Sequence, residues 1–112
     1  MDKKAVGYAG EALVLKHYTS NGYTPREQNY TIRWWEIDCI VENDKYIVFV
    51  EVKVVNHIDD LQSFITGKKL YYVQKTIEQY LHTHDIDKDP RLDIVFVKHG
   101  VIIEIFENIA LG

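Results

Sequence analysis

The chain has 112 residues, of which 46% are hydrophobic and 27% charged, and these proportions are typical of a globular domain. This length predicts one domain over residues 1–112, built from a single sheet and a few helices. The sequence has no apolar run near the roughly 20 residues of a membrane-spanning helix and no secretory segment, so we expect a cytoplasmic protein without membrane contact. A single cysteine, Cys39, excludes an intrachain disulfide and a Cys-based zinc site. The net charge of −4 weighs against a simple DNA-binding protein, which usually has a basic face.

The N-terminal part of the chain predicts one helix and one strand. Small and apolar residues recur at helical spacing from Lys4 to Ser20, and Asn21-Gly22 supplies a stop. Gly7 and Gly10 weaken this helix, which suggests close approach to another backbone or simple tolerance at a bare N-terminal helix. The extended pattern from Tyr23 to Ile32, interrupted by Pro25, is typical of an edge strand.

Two stronger strands follow, Trp35 to Val41 and Tyr46 to Val55, joined by the polar turn at residues 42–45. Because side chains alternate across a strand, we expect Ile37, Cys39 and Val41 on one face. Glu36, Asp38 and Ile40 are expected on the other face. Trp34 and Trp35 then point to opposite sides, so one is expected to pack in the core while the other could stack on a base or form a dimer contact.

The register of this hairpin decides whether its charged residues meet. An even-residue turn centred on Asp44-Lys45 places Asp38 opposite Glu51, with Lys53 on the same face. An odd-residue turn would separate them. The even register is favoured because it joins two aliphatic rows into one core face.

The C-terminal half predicts a helix and two further strands. Thr66 can cap a helix to about His82, whose apolar face carries Leu70, Val73, Ile77 and Leu81. Pro90 separates it from a strand at Leu92 to Val97, and His99-Gly100 turns into Val101 to Phe106. The predicted order is helix, three strands, helix, two strands.

Carboxylates at the margin of an apolar layer repel one another and lose hydration, so Asp38 and Glu51 indicate a bound cation. Their hard oxygen ligands favour Mg²⁺ or Mn²⁺ over zinc. Lys53 could orient an attacking water or stabilise charge on a phosphate. An exposed sheet edge with a cross-strand ion pair is the alternative that the spacing leaves open.

The segment from Asp38 to Glu51-Val52-Lys53 resembles the PD-(D/E)xK nuclease signature, with Ile37 in the place of its proline. The resemblance extends over nearly the whole chain to the YraN-like family of bacterial proteins, which is similar to archaeal Holliday-junction resolvases. The segments that carry it are Gly7, Gly10-Glu11, Glu36-Ile37-Asp38, residues 48–53, Lys69, Lys75, Tyr80-Leu81, Arg91-Leu92-Asp93, Glu107-Asn108 and Ala110.

The resemblance implies an α/β protein with a restriction-endonuclease-like α/β/α core around a central mixed five-stranded sheet. It implies a metal site of Glu11, Asp38 and Glu51, with Lys53 beside it as a catalytic residue. The expected activity is Mg²⁺- or Mn²⁺-dependent hydrolysis of phosphodiesters in branched or structured DNA, by a homodimer. Trp35 replaces the family's glycine before Glu36, and Thr31 and Val55 stand where basic residues are expected.

Other residues are expected to assist. Glu36 and Gln74 would support the ligands from outside, and the DNA-contacting candidates are Lys68, Lys69, Lys75 and Arg33. Without the resemblance, a solvated helix face is the preferred interpretation of Lys68 and Lys75, and Glu11 is as readily an exposed helical glutamate. A second function therefore stays open, a DNA- or protein-binding module that keeps the fold without catalysis.

Overall fold

The computed structural model describes residues 3–33, 35–56 and 67–109. Within these ranges the predicted order of elements is confirmed: α1 (Lys3–Ser20), β1 (Thr24–Ile32), β2 (Trp35–Glu42), β3 (Tyr46–Val54), α2 (Gly67–Thr83), β4 (Asp89–Lys98) and β5 (Val101–Phe106). Trp34, the proposed cap Thr66 and Ala110 lie outside the described residues. No helix in the described ranges is long and apolar enough to cross a membrane.

The five strands form one mixed sheet in the order β1-β2-β3-β4-β5. Strands β3 and β4 are parallel, whereas the other neighbouring pairs are antiparallel. A parallel pair needs a long crossover connection, and α2 lies within this one. The expected α/β architecture with a central mixed five-stranded sheet is therefore confirmed.

The two helices pack on different sets of side chains of the sheet. The first cluster joins α1 to the sheet and contains Val14, Tyr18, Cys39, Val41, Val48, Val50, Val52, Val95 and Val97. The second joins α2 to the sheet and contains Ile37, Ile40, Ile47, Phe49, Val73, Ile77, Tyr80 and Leu92. Successive residues of β3 alternate between these clusters, so the sheet is covered on both faces. Coverage on both faces explains why β3 has a nearly continuous apolar sequence.

The β2–β3 hairpin has the predicted even register. Its ladder pairs Glu42 with Ile47 and continues to Cys39 and Val50. The Asn43 N–H donates to the Tyr46 carbonyl at 3.0 Å, which leaves residues 44 and 45 at the tip of the turn. The turn centred on Asp44-Lys45 is thereby confirmed.

The prediction that Ile37 lies on the same face of β2 as Cys39 and Val41 is wrong. Ile37 packs in the α2 cluster, whereas Cys39 and Val41 pack in the α1 cluster. The alternation is interrupted at Asp38, opposite which Asn29 of β1 has a left-handed backbone with a φ of 50°. A residue in that conformation breaks the regular pleat of β1, and Asn29 is not paired with Asp38, so the two strands leave a regular ladder at the position where the faces of β2 change.

The two helical glycines differ in their surroundings. A Cβ on Gly10 would lie 2.9 Å from Cγ2 of Val54 in β3, so the predicted close approach is confirmed there. A Cβ on Gly7 would meet nothing within 4 Å, so the same expectation is wrong for Gly7. Of these two glycines, only Gly10 therefore marks a close approach of α1 to the sheet, and the next residue is Glu11.

Both prolines lie near the starts of strands, where the missing N–H is tolerated. Pro25 is the second residue of the edge strand β1, and the register shifts between it and Glu27. Pro90 lies inside β4, opposite Ile47, rather than in the connection before it. Strand β4 therefore begins at Asp89, before the predicted start at Leu92.

Candidate metal centre

Three carboxylates meet beside the N-terminal half of α1. Glu11 from α1 and Glu36 and Asp38 from β2 each offer an oxygen, and these atoms lie within 4.8 Å of one another. Glu11 and Asp38 are half-buried and Glu36 is exposed, so the group is open to solvent. Glu36 was expected only as a supporting residue, but its carboxylate lies close enough to those of Glu11 and Asp38 to bind the same ion.

Two polar side chains of β1 hold this carboxylate group. The Asn29 amide donates to Glu11 Oε1 at 2.8 Å and to Glu36 Oε1 at 3.4 Å. The Thr31 hydroxyl donates to Glu36 Oε2 at 3.2 Å. Sequence reasoning missed Asn29, although an asparagine in the middle of a strand pattern is an unfavourable residue for that structure and marks an irregular position.

Asp38 lies where strands β2 and β3 stop pairing. The ladder ends at Cys39 and Val50, and the Asp38 carboxylate accepts a hydrogen bond of 2.6 Å from the Val52 N–H. Burial raises the pKa of Asp38 to about 6, the negative charge of Glu11 adds to the rise, and the hydrogen bond from Val52 opposes it. The acid is therefore held by the backbone at the opening between the strands.

Glu51 is a buried acid, 4% exposed, in the interior of β3. Its Oε2 lies 3.6 Å from Lys53 Nζ. Its Oε1 and the Trp35 indole N–H each make no hydrogen bond of regular geometry among the described residues, but the indole still acts as a donor toward the carboxylate and lowers its pKa. Burial raises the pKa of Glu51 to about 8, the charge of Asp38 raises it further, and Lys53 lowers it. A buried carboxylate oxygen without a partner is costly unless a cation or a donor compensates it.

The site has two parts that interact across the end of the β2–β3 ladder. Glu51 follows Phe49 on β3 by two residues and so lies on the α2 side, where the Lys53 ammonium is 5.9 Å from the Trp35 ring centroid. The other part is the group of Glu11, Glu36 and Asp38, and the predicted ligand Glu51 is not among the carboxylates whose oxygens lie within 4.8 Å of one another. Asp38 belongs to both, because its charge acts on Glu51 and the charge of Lys53 acts on it.

The donor set suits a hard divalent cation. All four acidic residues offer carboxylate oxygens, the ligands preferred by Mg²⁺ and Mn²⁺, and zinc sites usually contain His or Cys instead. Mg²⁺ keeps several waters and takes one or two carboxylates, which matches a site that is partly open to solvent. A bound cation would also give the unpartnered Glu51 oxygen a counter-charge.

The residues predicted to contact DNA are distributed along α2 and the turn after β1. Lys68 and Lys75 are exposed on α2 and Lys69 is half-buried. The Lys75 ammonium lies 5.5 Å from the ring centroid of Tyr71, itself 56% exposed. Arg33 is exposed directly after β1.

Gln74, the other predicted supporting residue, is half-buried on α2. Its side-chain amide donates to Glu78, one turn further along the same helix, at 3.2 Å. In this structure the amide therefore supports a carboxylate of its own helix, outside the group that contains Glu11.

A second acidic residue of the interior, Asp93 on β4, is fully paired. It accepts hydrogen bonds from the Tyr18 hydroxyl at 2.6 Å, from Arg91 at 2.9 and 3.0 Å and from the Asn108 N–H at 3.0 Å. Tyr18 lies on α1, so the network ties that helix to β4. Its complete pairing indicates a structural role, in contrast to the incomplete pairing of Glu51.

Comparison with known proteins places the chain among bacterial relatives. Residues 10–97 match the model of "Uncharacterised protein family UPF0102". A UPF0102 protein of Campylobacter fetus is 30% identical over 96 residues, which cover 86% of each chain. A UPF0102 protein of Sulfurihydrogenibium is 34% identical over 108 residues, 94% of each chain, and one of Flavobacterium psychrophilum is 33% identical over 94 residues, 82% of this chain and 79% of its own. The matched range, residues 10–97, begins just before Glu11 and includes every residue of the candidate centre. The chain belongs to the UPF0102 family.

Proposed function

We propose that this protein is a Mg²⁺- or Mn²⁺-dependent endonuclease that hydrolyses phosphodiesters in branched or structured DNA. The observation that carries the proposal is the buried Glu51 carboxylate, whose Oε1 makes no hydrogen bond of regular geometry among the described residues. The negative charge of Asp38 and the positive charge of Lys53 both act on this carboxylate. With a pKa of about 8, Glu51 is neutralised by a proton at neutral pH when no metal is bound. A divalent cation would displace that proton, and such cations are a common cofactor of phosphodiester hydrolysis.

Each residue of the centre has a distinct proposed role. Glu11 and Asp38, whose oxygens lie within 4.8 Å of each other, would hold the ion, and Glu51 would complete the ligand set from the α2 side. A bound ion would supply an activated water and polarise the phosphoryl oxygens. Lys53 lies beside Glu51 at the half-exposed end of β3. Its ammonium would stabilise the negative charge that develops on the attacked phosphate. Glu36, exposed and at ligand distance from Asp38, would accept hydrogen bonds from metal-bound waters.

The proposed substrate is DNA with a branch or another departure from regular duplex. Its choice depends on the resemblance of the family to Holliday-junction resolvases. Lys68, Lys69, Lys75 and Arg33 are the proposed phosphate contacts, and the exposed Tyr71 beside Lys75 offers an aromatic face to an unpaired base. A homodimer in the cytoplasm completes the proposal, because two-fold symmetry suits a four-way junction.

The test is to incubate the purified protein with four-way junction, flap and single-stranded DNA in Mg²⁺, Mn²⁺ or EDTA. Cutting should require the metal and should disappear in both Glu51→Ala and Lys53→Ala. Glu104→Gln and Lys16→Ala, which change exposed residues of β5 and α1, are the matched controls and should cut as the wild type does. Cutting that persists in EDTA or in both site variants would refute the proposal.

The second candidate function is a DNA- or protein-binding module without catalysis. The net charge of −4 favours it, as does Thr31, whose hydroxyl bonds to Glu36 where a basic residue was expected. The same assay separates the two functions, because a binding module would shift junction DNA in a gel without cutting it. Light scattering after size exclusion tests the dimer, and a monomer at micromolar concentration would contradict that part.

A further inference from the structure

Asn29 has an unusual backbone for a residue in the middle of a strand. Its φ of 50° lies in the left-handed region, which asparagine tolerates better than most residues other than glycine. The β1–β2 ladder pairs Gln28 with Cys39 and Tyr30 with Ile37, but Asn29 is not paired with Asp38 between them. The irregularity of β1 therefore lies directly opposite an acidic residue of the candidate centre.

This interruption coincides with the change of faces along β2. Ile37 packs with α2 and Cys39 packs with α1, so Asp38 is the residue at which the alternation fails. In a regular strand those two neighbours would share a face. Asp38 instead reaches the Val52 N–H and the carboxylate of Glu11. The irregular backbone at Asn29 thus accompanies the orientation that brings Asp38 into the group.

In addition to its irregular backbone, Asn29 contacts two carboxylates of this group through its side chain. Its amide donates to Glu11 on α1 and to Glu36 on β2, at 2.8 and 3.4 Å. An amide nitrogen has two N–H donors and no charge. It can therefore hold two carboxylates close together without neutralising them, which leaves their charge to attract a cation. A lysine at this position would supply the counter-charge itself.

We infer that Asn29 is a positioning residue of the metal centre, which assembles Glu11, Glu36 and Asp38 through its left-handed backbone and its amide. The inference rests on the proposed function for its metal-binding readout. Its contacts within the protein are tested independently of metal. The two ideas can therefore fail separately.

The first experiment measures Mn²⁺ affinity by calorimetry. Asn29→Gly keeps the left-handed backbone but removes the amide, and it should bind Mn²⁺ at least tenfold more weakly than the wild type. Asn29→Ala removes the amide and disfavours the backbone, so its affinity should be lower still. Asn108→Gly is the matched control, because Asn108 also has a left-handed φ, of 55°, and its affinity should match the wild type. Wild-type affinity in Asn29→Gly would overturn the inference.

The second experiment is a double-mutant cycle in metal-free urea denaturation with Asn29→Gly and Glu11→Ala. If the amide contacts Glu11, the loss of stability in the double variant should differ from the added losses of the two single variants. Strict additivity would overturn the inference whether or not the protein binds metal. A wild type that fails to bind Mn²⁺ while the cycle shows coupling would refute the metal centre and the proposed function, and would leave Asn29 as the residue that holds these carboxylates together.

Discussion

The Lys53 ammonium lies 3.6 Å from the Glu51 carboxylate, two residues before it in β3. Glu51 is buried, whereas Lys53 is half-exposed, so the pair connects the interior of the sheet to solvent. The lysine gives the buried acid part of its counter-charge. It also places a positive charge at the solvent-facing end of the site, next to the proposed phosphodiester substrate.

The first prediction concerns Lys53→Met, which keeps the length of the side chain and removes its charge. Cutting should fall by about 100-fold or more, because a charge that stabilises the transition state is typically worth that much. Mn²⁺ affinity should stay within a few-fold of the wild type, since the carboxylate ligands remain. Single-turnover rates and calorimetry measure the two effects, with Lys16→Met as control. Cutting within a few-fold of the wild-type rate would contradict the role given to Lys53.

The second prediction concerns the pH dependence of stability without metal. Burial raises the pKa of Glu51 from 4.5 to about 8, so between these values the folded protein binds more protons than the unfolded chain. Its stability should therefore fall as the pH rises through this interval. Each unit of pKa difference corresponds to about 1.4 kcal/mol. Urea denaturation at pH 5, 6.5 and 8 in EDTA measures the slope.

The matched variant for that experiment is Glu51→Gln, which cannot ionise. Its stability should exceed that of the wild type at pH 8 in EDTA, and the pH slope should be shallower. Excess Mg²⁺ should stabilise the wild type and not the variant, because binding to the folded state adds to its stability. A slope that is unchanged in Glu51→Gln would show that this carboxyl does not titrate as stated.

The third prediction compares the two glycines of α1. Gly7→Ala should stabilise the protein by about 1 kcal/mol, the usual helix-propensity gain, because its new methyl meets no atom within 4 Å. Gly10→Ala should destabilise it by about 1–3 kcal/mol, because the methyl would lie 2.9 Å from Val54 Cγ2. It should also weaken Mn²⁺ binding, since a displaced α1 moves Glu11. Equal stability of the two variants would contradict the close approach.

The fourth prediction concerns the Asp93 network. Tyr18→Phe removes a hydrogen bond to a buried carboxylate and should cost about 1–3 kcal/mol. Asp93→Ala leaves Arg91 without its carboxylate partner and should cost about 3–5 kcal/mol. Thermal melting measures both, with Tyr8→Phe as an exposed control. Metal-dependent cutting per folded molecule should be unchanged in Tyr18→Phe, and a selective loss of cutting would contradict a purely structural network.

The sequence was sufficient to predict the hairpin because two local rules agree there. The even turn at Asp44-Lys45 and the aliphatic row of β3 require the same register. The helices follow equally from the spacing of apolar residues. In these parts of the fold, the secondary structure follows from residues that are close together in the sequence.

The irregular part of the site could not be predicted in this way. Alternation along β2 assumes an unbroken ladder, and the interruption at Asn29 is visible only when β1 is paired with β2. Glu11 lies on a different element from Asp38, so periodicity alone could not bring them together. The resemblance to a family named Glu11 as a ligand, but it gave no role to Asn29 and only a supporting one to Glu36.

Asp38 carries a negative charge and also accepts the hydrogen bond of the Val52 backbone N–H. Without an acceptor at this position, the opening between two strands would leave a main-chain N–H unpaired. Asparagine would accept the same bond through its side-chain oxygen while removing the charge. Asp38→Asn should therefore remove the negative charge from the candidate centre while the fold stays intact, so a cation site at this position can be lost without a change of architecture.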